Sequence, residues 1–351
     1  MTWDIATLLT VSGLQISSIY LLTGLGLVLI FSVTRVIFVP FGDISVFAAI
    51  TLAGFEAKQV PGTIPLVAAI VVFALVVEVT SRVRRREWRV IPKAVLYWGV
   101  LPLVPCGLAW LVGHFGAPAE VQIAASILLV VPVAPALARI ALQPIADASV
   151  LVLLIVSLAL EFVTSGVALL FFGPDGFRTQ PLVPGSITLP GGIPLDMQVV
   201  LMICVAIIIS GLFYLAFQKT TMGKALRATA VNRVGARLVG IRPARASTLA
   251  FLAASLLAGF IGVLISPVTT LYYDSGFLIG LKAFVAALIG GLVSYPGTAI
   301  GALFVGIFES FASFYSGALK DAIVFGLLIP ILIIRSILIV THEEDPEELD
   351  Q

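Results

Sequence analysis

Apolar runs long enough to cross a bilayer alternate along the whole chain with short polar or Pro/Gly-containing breaks. A crossing needs about 20 mostly apolar residues, and about eleven apolar segments can be delimited. They cover residues 12–33, 42–55, 63–80, 94–112, 121–139, 149–172, 197–217, 247–264, 281–293, 298–315 and 322–340. Segments 42–55 and 281–293 are shorter than a full crossing and have glycine or proline at or beside their ends. They read as broken or re-entrant helices, one in each half of the chain, the pattern expected where discontinuous helices line a midplane solute site. The predicted fold is an all-α integral membrane protein: a polytopic helical bundle over residues 1–341 with an acidic tail at 342–351.

Composition places the bulk of the chain in lipid. Of the 351 residues 60% are hydrophobic and 11% charged, against about 25% charged in an ordinary soluble domain. A net charge of +1 gives no footing for nucleic acid. The basic residues gather in two loops, Arg82, Arg84, Arg85, Arg86, Arg89 and Lys93 in one, and Lys219, Lys224, Arg227, Arg233, Arg237, Arg242 and Arg245 in the other. The positive-inside rule assigns both loops to the cytoplasm. Alternating crossings then place Arg35, Arg139 and Arg335 inside as well, leaving only Lys58, Arg178, Lys282 and Lys320 outside, so the expected topology is N-outside, C-inside. The first apolar run follows an N-terminus with no basic region and reads as a retained span. Cys106 and Cys204 lie in apolar stretches and suggest neither disulfide nor metal chemistry. The longest external connection, 173–196, is rich in Gly and Pro and reads as a connector or as a surface for an extracytoplasmic partner.

Segment 219–245 is the most informative stretch. Lys224 and Arg227 are three apart and Arg233 and Arg237 four apart, so each pair shares a helical face. At 100° per residue the two pairs would point in different directions on one continuous helix, which favours two short helices with a break near 232–235. Charge alone fits equally a docking element for a cytosolic partner and a loop held by anionic headgroups.

Ionisable residues inside apolar segments are costly, at least about 2.5–3.5 kcal/mol for an aspartate at the bilayer centre. Glu161 is the deepest, with Ser157, Thr164 and Ser165 within a turn, and reads either as a paired or protonated structural group or as part of a pathway. Asp43 follows Gly42 at the mouth of a short segment, where a carboxylate can cap free N–H groups. Lys282 opens the other short segment and is expected to snorkel, while Glu78, Glu309 and Asp321 are expected at the interface. Gly297-x-x-x-Gly301, Ala286-x-x-x-Gly290 and Ala287-x-x-x-Gly291 permit close helix contact.

The run Thr221-Met222-Gly223-Lys224-Ala225-Leu226-Arg227-Ala228, followed by Asn232, Ala236-Arg237-Leu238 and Gly240-Ile241, resembles the cytoplasmic coupling segment of the permease subunits of ABC importers for branched-chain amino acids, the Liv type. Similarity extends, in order, through Gly24 to Phe31, Arg35-Val36-Ile37, Phe41-Gly42-Asp43, Leu169 to Asp175, and Leu281 to Leu292 with Pro296-Gly297. There are two departures. Residues 80–120 look like an insertion of two spans, and Phe38-Val39-Pro40-Phe41-Gly42-Asp43 stands where the family more usually has Asn-Phe-Ala-His-Gly-Asp.

The resemblance implies an importer subunit in a bacterial cytoplasmic (inner) membrane, with Thr221, Met222, Gly223, Lys224, Ala225, Leu226, Arg227, Asn232, Arg237 and Gly240 coupling it to an ATPase. It also implies two ABC ATPase subunits, a second related permease subunit and an extracytoplasmic solute-binding protein as partners. The cargo would be branched-chain amino acids or a related small polar solute. No Walker-type phosphate loop, G-x-x-x-x-G-K-S/T, occurs in the sequence, so ATP-Mg is expected on the partner ATPase and no cofactor on this chain. Pathway candidates are Gly42, Asp43, Glu161, Lys282, Gly290 and Gly291. The competing transport reading is an ion-coupled secondary carrier using an intramembrane carboxylate. An intramembrane enzyme is disfavoured, because His114 and His342 lie outside the spans and no H-E-x-x-H occurs.

Overall fold

The computed structural model describes residues 3–188, 194–231, 233–317, 319–326, 330 and 333. The elements in chain order are α1 (Trp3–Thr34), α2 (Phe41–Glu56), α3 (Thr63–Arg84), α4 (Trp88–Phe115), α5 (Ala119–Ile145) and α6 (Val150–Phe172). A hairpin of β1 (Ser186–Thr188) and β2 (Pro194–Asp196) follows, antiparallel with Ile187 opposite Leu195. Then come α7 (Met197–Lys219), α8 (Thr221–Val231), α9 (Arg233–Leu238), α10 (Pro243–Ile265), α11 (Ser275–Ile289), α12 (Tyr295–Tyr315) and α13 (Lys320–Gly326). Among the described residues eight helices are long and apolar enough to cross a membrane. The two segments predicted to be short are short, with α2 holding 16 residues and α11 holding 15. Of the last predicted segment the first turns are helical, and most of its remainder lies outside the described residues.

Lipid offers no hydrophobic drive for helices to associate, so close backbone approach through small residues sets the packing. Gly13 and Gly306 bring α1 against α12, Gly262 brings α10 onto the backbone of Ser45 and Ala49 and the methyl of Ala48, and Gly301 sits on the carbonyl of Ala286. Hydroxyls reinforce the α1–α12 seam, with Ser310 Oγ donating to the Leu9 carbonyl (2.7 Å) and Ser17 Oγ to the Leu303 carbonyl (3.3 Å). Short α2 is buried along nearly all of its length, beside α10, α11 and α5. Phe38, Phe41, Phe47 and Phe251 fill the space around it, Phe38 and Phe251 meeting edge to face at 5.2 Å. By contrast α4, α6 and α7 present large exposed apolar side chains such as Trp110, Leu170 and Ile207, the surface that hydrocarbon covers.

Glu78, expected at the interface, is 2% exposed. It accepts from Arg82 Nε (2.9 Å) and pairs with Arg139, so the ends of α3 and α5 are clamped by one carboxylate between two guanidinium groups. Connector 173–196 is fastened to the turn after α10, since Phe177 and Leu271 exchange backbone hydrogen bonds (2.8 and 2.9 Å) and Thr179 Oγ1 lies 2.8 Å from Ser266 Oγ.

Candidate functional site

The two half-helices meet at their first turns. A Cβ on Gly42 would strike the carbonyl of Gly276, and a Cβ on Gly276 would strike Asp43, so only glycine at both positions lets α2 and α11 cross at backbone contact. Leading into α2, the Val39 amide donates to Ser157 Oγ of α6 (2.9 Å). One turn further along α6 stands Glu161, the midpoint of that span, and the next residue, Phe162, lies 6.2 Å ring to ring from Phe277 of α11. Three elements therefore converge on one place.

This convergence draws the carboxylates of Asp43 and Glu161 into electrostatic contact, with Asp274 at the start of α11 adding a further negative charge. Asp43 is 0% and Glu161 1% exposed. No described group forms a regular hydrogen bond to any of their four carboxylate oxygens. The expected cap at Asp43 is not formed: α2 starts after Pro40 with no side-chain cap, and Ser45 Oγ donates back to the Gly42 carbonyl (2.6 Å). Of the hydroxyls near Glu161, Ser157 Oγ accepts from the Val39 amide and Thr164 Oγ1 donates to the Leu160 carbonyl (2.8 Å). Two helix starts, each carrying roughly half a positive charge, partly offset Asp43, while Glu161 at mid-helix has no such compensation. Two adjacent carboxylates in a dry interior cannot both stay charged without a cation.

Lys282 does not snorkel. Because α11 begins at Ser275, Lys282 falls in mid-helix and not at its mouth, and it is 6% exposed. Its Nζ lies 2.5 Å from Glu309 Oε1 and 2.6 Å from Asp321 Oδ1, and Tyr20 Oη donates to Glu309 Oε2 (2.5 Å). Glu309, expected at the interface, is 5% exposed. This network ties α1, α11, α12 and α13 together around a cation, Lys282, whereas the Asp43–Glu161 pair has no cation beside it among the described residues. Gly290 and Gly291 lie at the opposite end of α11 from Gly276. Gly290 allows the start of α12 to approach at Gly297 and Thr298, and Gly291 takes the left-handed conformation (φ 91°) that ends the helix.

In segment 219–245 the structure has the two short helices read from the sequence, α8 and α9, while Asn232 lies outside the described residues. Gly223 is required sterically, since a Cβ there would strike the Phe217 backbone at the end of α7. Leu226 is buried, and Thr229 Oγ1 donates to the Val33 carbonyl (3.1 Å), anchoring α8 to the end of α1. Lys224 points outward, while Arg227 donates to Gln218 Oε1 (3.0 Å). Thr221, Met222 and Arg237 are exposed and Ala225 is half-buried. Gly240 (φ 85°) ends α9, with the Ile241 amide bonded to the Ala236 carbonyl (2.9 Å). Between α8 and the start of α10 lies an open groove of about 410 Å³, lined in part by Met222, Leu226, Arg242 and Arg245.

Sequence reasoning missed Gly276 and Tyr20. A glycine in an apolar run and a tyrosine in a long span both read as packing, and only the crossing of distant segments gives them their partners.

Comparison with known proteins bears on these features. The sequence profile of the family described as "Branched-chain amino acid transport system / permease component" matches residues 95–332. BraD of Pseudomonas aeruginosa, a high-affinity branched-chain amino acid transport system permease protein, is 29% identical over 219 residues, covering 60% of this chain and 71% of its own length. The LivH proteins of the same description from Salmonella typhimurium and Escherichia coli are 30% and 31% identical over 206 residues, covering 56% of this chain and 66% of their own length. No solved structure matches the chain.

Proposed function

Because the chain belongs to the family of branched-chain amino acid transport system permease components, we propose that it forms one transmembrane half of an ATP-driven importer for branched-chain or similar small amino acids. On this reading it sits in a bacterial inner membrane, pairs with a second permease subunit and receives its cargo from an extracytoplasmic binding protein. ATP is hydrolysed by two separate ATPase subunits, in keeping with the lack of a phosphate loop in this sequence.

The observation that carries the pathway assignment is the buried, unpartnered Asp43–Glu161 pair at the crossing of two half-helix starts. A zwitterionic amino acid is complementary to that arrangement. Its ammonium supplies the cation that the carboxylates lack, and its carboxylate is favoured by helix N-termini. In the closed arrangement the pair is sealed, so parting of α2 from α11 is the step that admits cargo. Gly42, Asp43 and Glu161 belong to this path, whereas the packing roles of Lys282, Gly290 and Gly291 make them supports for α11.

Coupling is assigned to α8 and α9. Met222, Leu238 and Val239 leave apolar surface exposed beside Lys224 and Arg237, and the Thr229–Val33 bond gives movement of α8 a direct route into α1. The test is reconstitution with the cognate ATPases, second permease and binding protein in liposomes. Leucine uptake should require ATP and every component. Uptake by the chain alone, driven by a proton or sodium gradient, would overturn this reading in favour of an ion-coupled carrier.

A further inference from the structure

The turn joining α3 to α4 holds a concentration of charge that the transport reading leaves unused. Seven cations gather at this end of the two helices and at the facing part of α5, namely Arg82, Arg84, Arg85, Arg86, Arg89, Lys93 and Arg139, against two carboxylates, Glu78 and Glu87. The structure divides them sharply. Arg82 and Arg139 are consumed by Glu78 and Glu87, with Arg82 Nη1 2.5 Å from Glu87 Oε2. Arg84, Arg85, Arg86, Arg89 and Lys93 are exposed, and none has an ion-pair partner among the described residues.

Backbone geometry fixes the turn. The Arg86 amide bonds to the Val83 carbonyl (3.0 Å) and the Glu87 amide to the Arg82 carbonyl (3.0 Å), the paired bonds of a Schellman cap. Its left-handed position is occupied by Arg86 (φ 57°), where glycine is the unstrained choice. A cation is thus kept at a position whose backbone disfavours any side chain. Beside it Trp88 is 62% exposed, as befits an interfacial aromatic residue. Apolar side chains exposed to lipid follow on both helices, Phe73 and Val76 of α3 and Tyr97, Val100 and Leu101 of α4.

We propose that this turn binds the headgroup of an anionic phospholipid, its phosphodiester held by the guanidinium groups of Arg84, Arg85, Arg86 and Arg89 with Lys93 beside them, and its acyl chains lying on the exposed apolar faces of α3 and α4. Arginine suits this ligand because its planar fork pairs two N–H groups with two phosphate oxygens. An acidic polypeptide offers the same charge, but a turn lying against a lipid-facing surface and flanked by an exposed Trp favours the lipid. The turn also precedes the region matched by the family profile, which begins at residue 95.

The test uses the full chain in its assembled complex, titrated with phosphatidylglycerol or phosphatidylcholine in detergent and read by native mass spectrometry. Phosphatidylglycerol should be retained in preference. The triple variant Arg85→Gln/Arg86→Gly/Arg89→Gln should bind it on the order of a hundredfold more weakly, since each cation near an anionic surface contributes roughly fivefold. Arg86→Gly alone keeps the fold, because glycine suits that φ, and should weaken retention by about fivefold, which guards against failure of the triple variant to fold. Equal retention of both lipids, unchanged retention in a folded triple variant, or preferential capture of a poly-glutamate peptide would each overturn the assignment.

Discussion

At the scale of single residues, two buried charge clusters with opposite chemical character stand in one bundle. Lys282 is enclosed by Glu309, Asp321 and, through Glu309, Tyr20, so one cation serves two carboxylates. Removing one member strands the others, so Lys282→Met should destabilise the protein by about 3–5 kcal/mol, read as a fall in unfolding temperature in detergent. Combining it with Glu309→Leu should recover part of the loss, because the stranded carboxylate goes with its partner. The Asp43–Glu161 pair behaves in the opposite way. Since no group outside the pair hydrogen-bonds to its oxygens among the described residues, Glu161→Gln relieves the repulsion between the two carboxylates while keeping the shape of the side chain. The variant should unfold at the same temperature as the wild type or higher, while leucine uptake by the reconstituted complex falls by an order of magnitude or more. A marked drop in unfolding temperature would show that Glu161 is structural.

At the scale of elements, the half-helices are the feature on which the site depends, and glycine sets their geometry. Gly42→Leu places a branched side chain against the Gly276 backbone and should force α2 from α11 at a cost of about 1–3 kcal/mol. Gly276→Leu should do the same, and the two together should cost less than their sum, because the first already opens the gap. Thermal unfolding of the two single variants and the double variant checks this. Hydropathy and Gly/Pro punctuation made α2 and α11 legible in advance as short segments, because span length is a direct reading of bilayer thickness. The helix α11 starts about six residues before the predicted segment 281–293, because Gly276 and Gly280 are helical positions at a crossing. That displacement led Lys282 to be read as an interfacial residue. The Lys282–Glu309 and Glu78–Arg139 pairings were illegible for a different reason: partners on separate helices carry no spacing signal. The division of segment 219–245 into two helices was legible, because cation spacing fixes which residues can share a face.

At the scale of the whole molecule, the exposed apolar faces of α4, α6 and α7 meet lipid while Asp43 of α2, Glu161 on the inner face of α6, and Lys282 and Glu309 of α11 and α12 are buried, so a path through the protein follows the inward-facing sides of these helices. Movement at α8 reaches this core through α1, to which Thr229 is bonded at the Val33 carbonyl. Met222→Glu on the exposed face of α8 should therefore abolish co-purification of the ATPase without changing the unfolding temperature of the permease, as checked by affinity pull-down from solubilised membranes. The central claim is that cargo passes between α2 and α11 at the Asp43–Glu161 pair, and Asp43→Asn in the complete complex tests it most directly. ATP-dependent leucine uptake into proteoliposomes should be lost while basal ATP hydrolysis and complex assembly persist. Uptake at the wild-type rate by the Asp43→Asn complex would place the path elsewhere in the bundle.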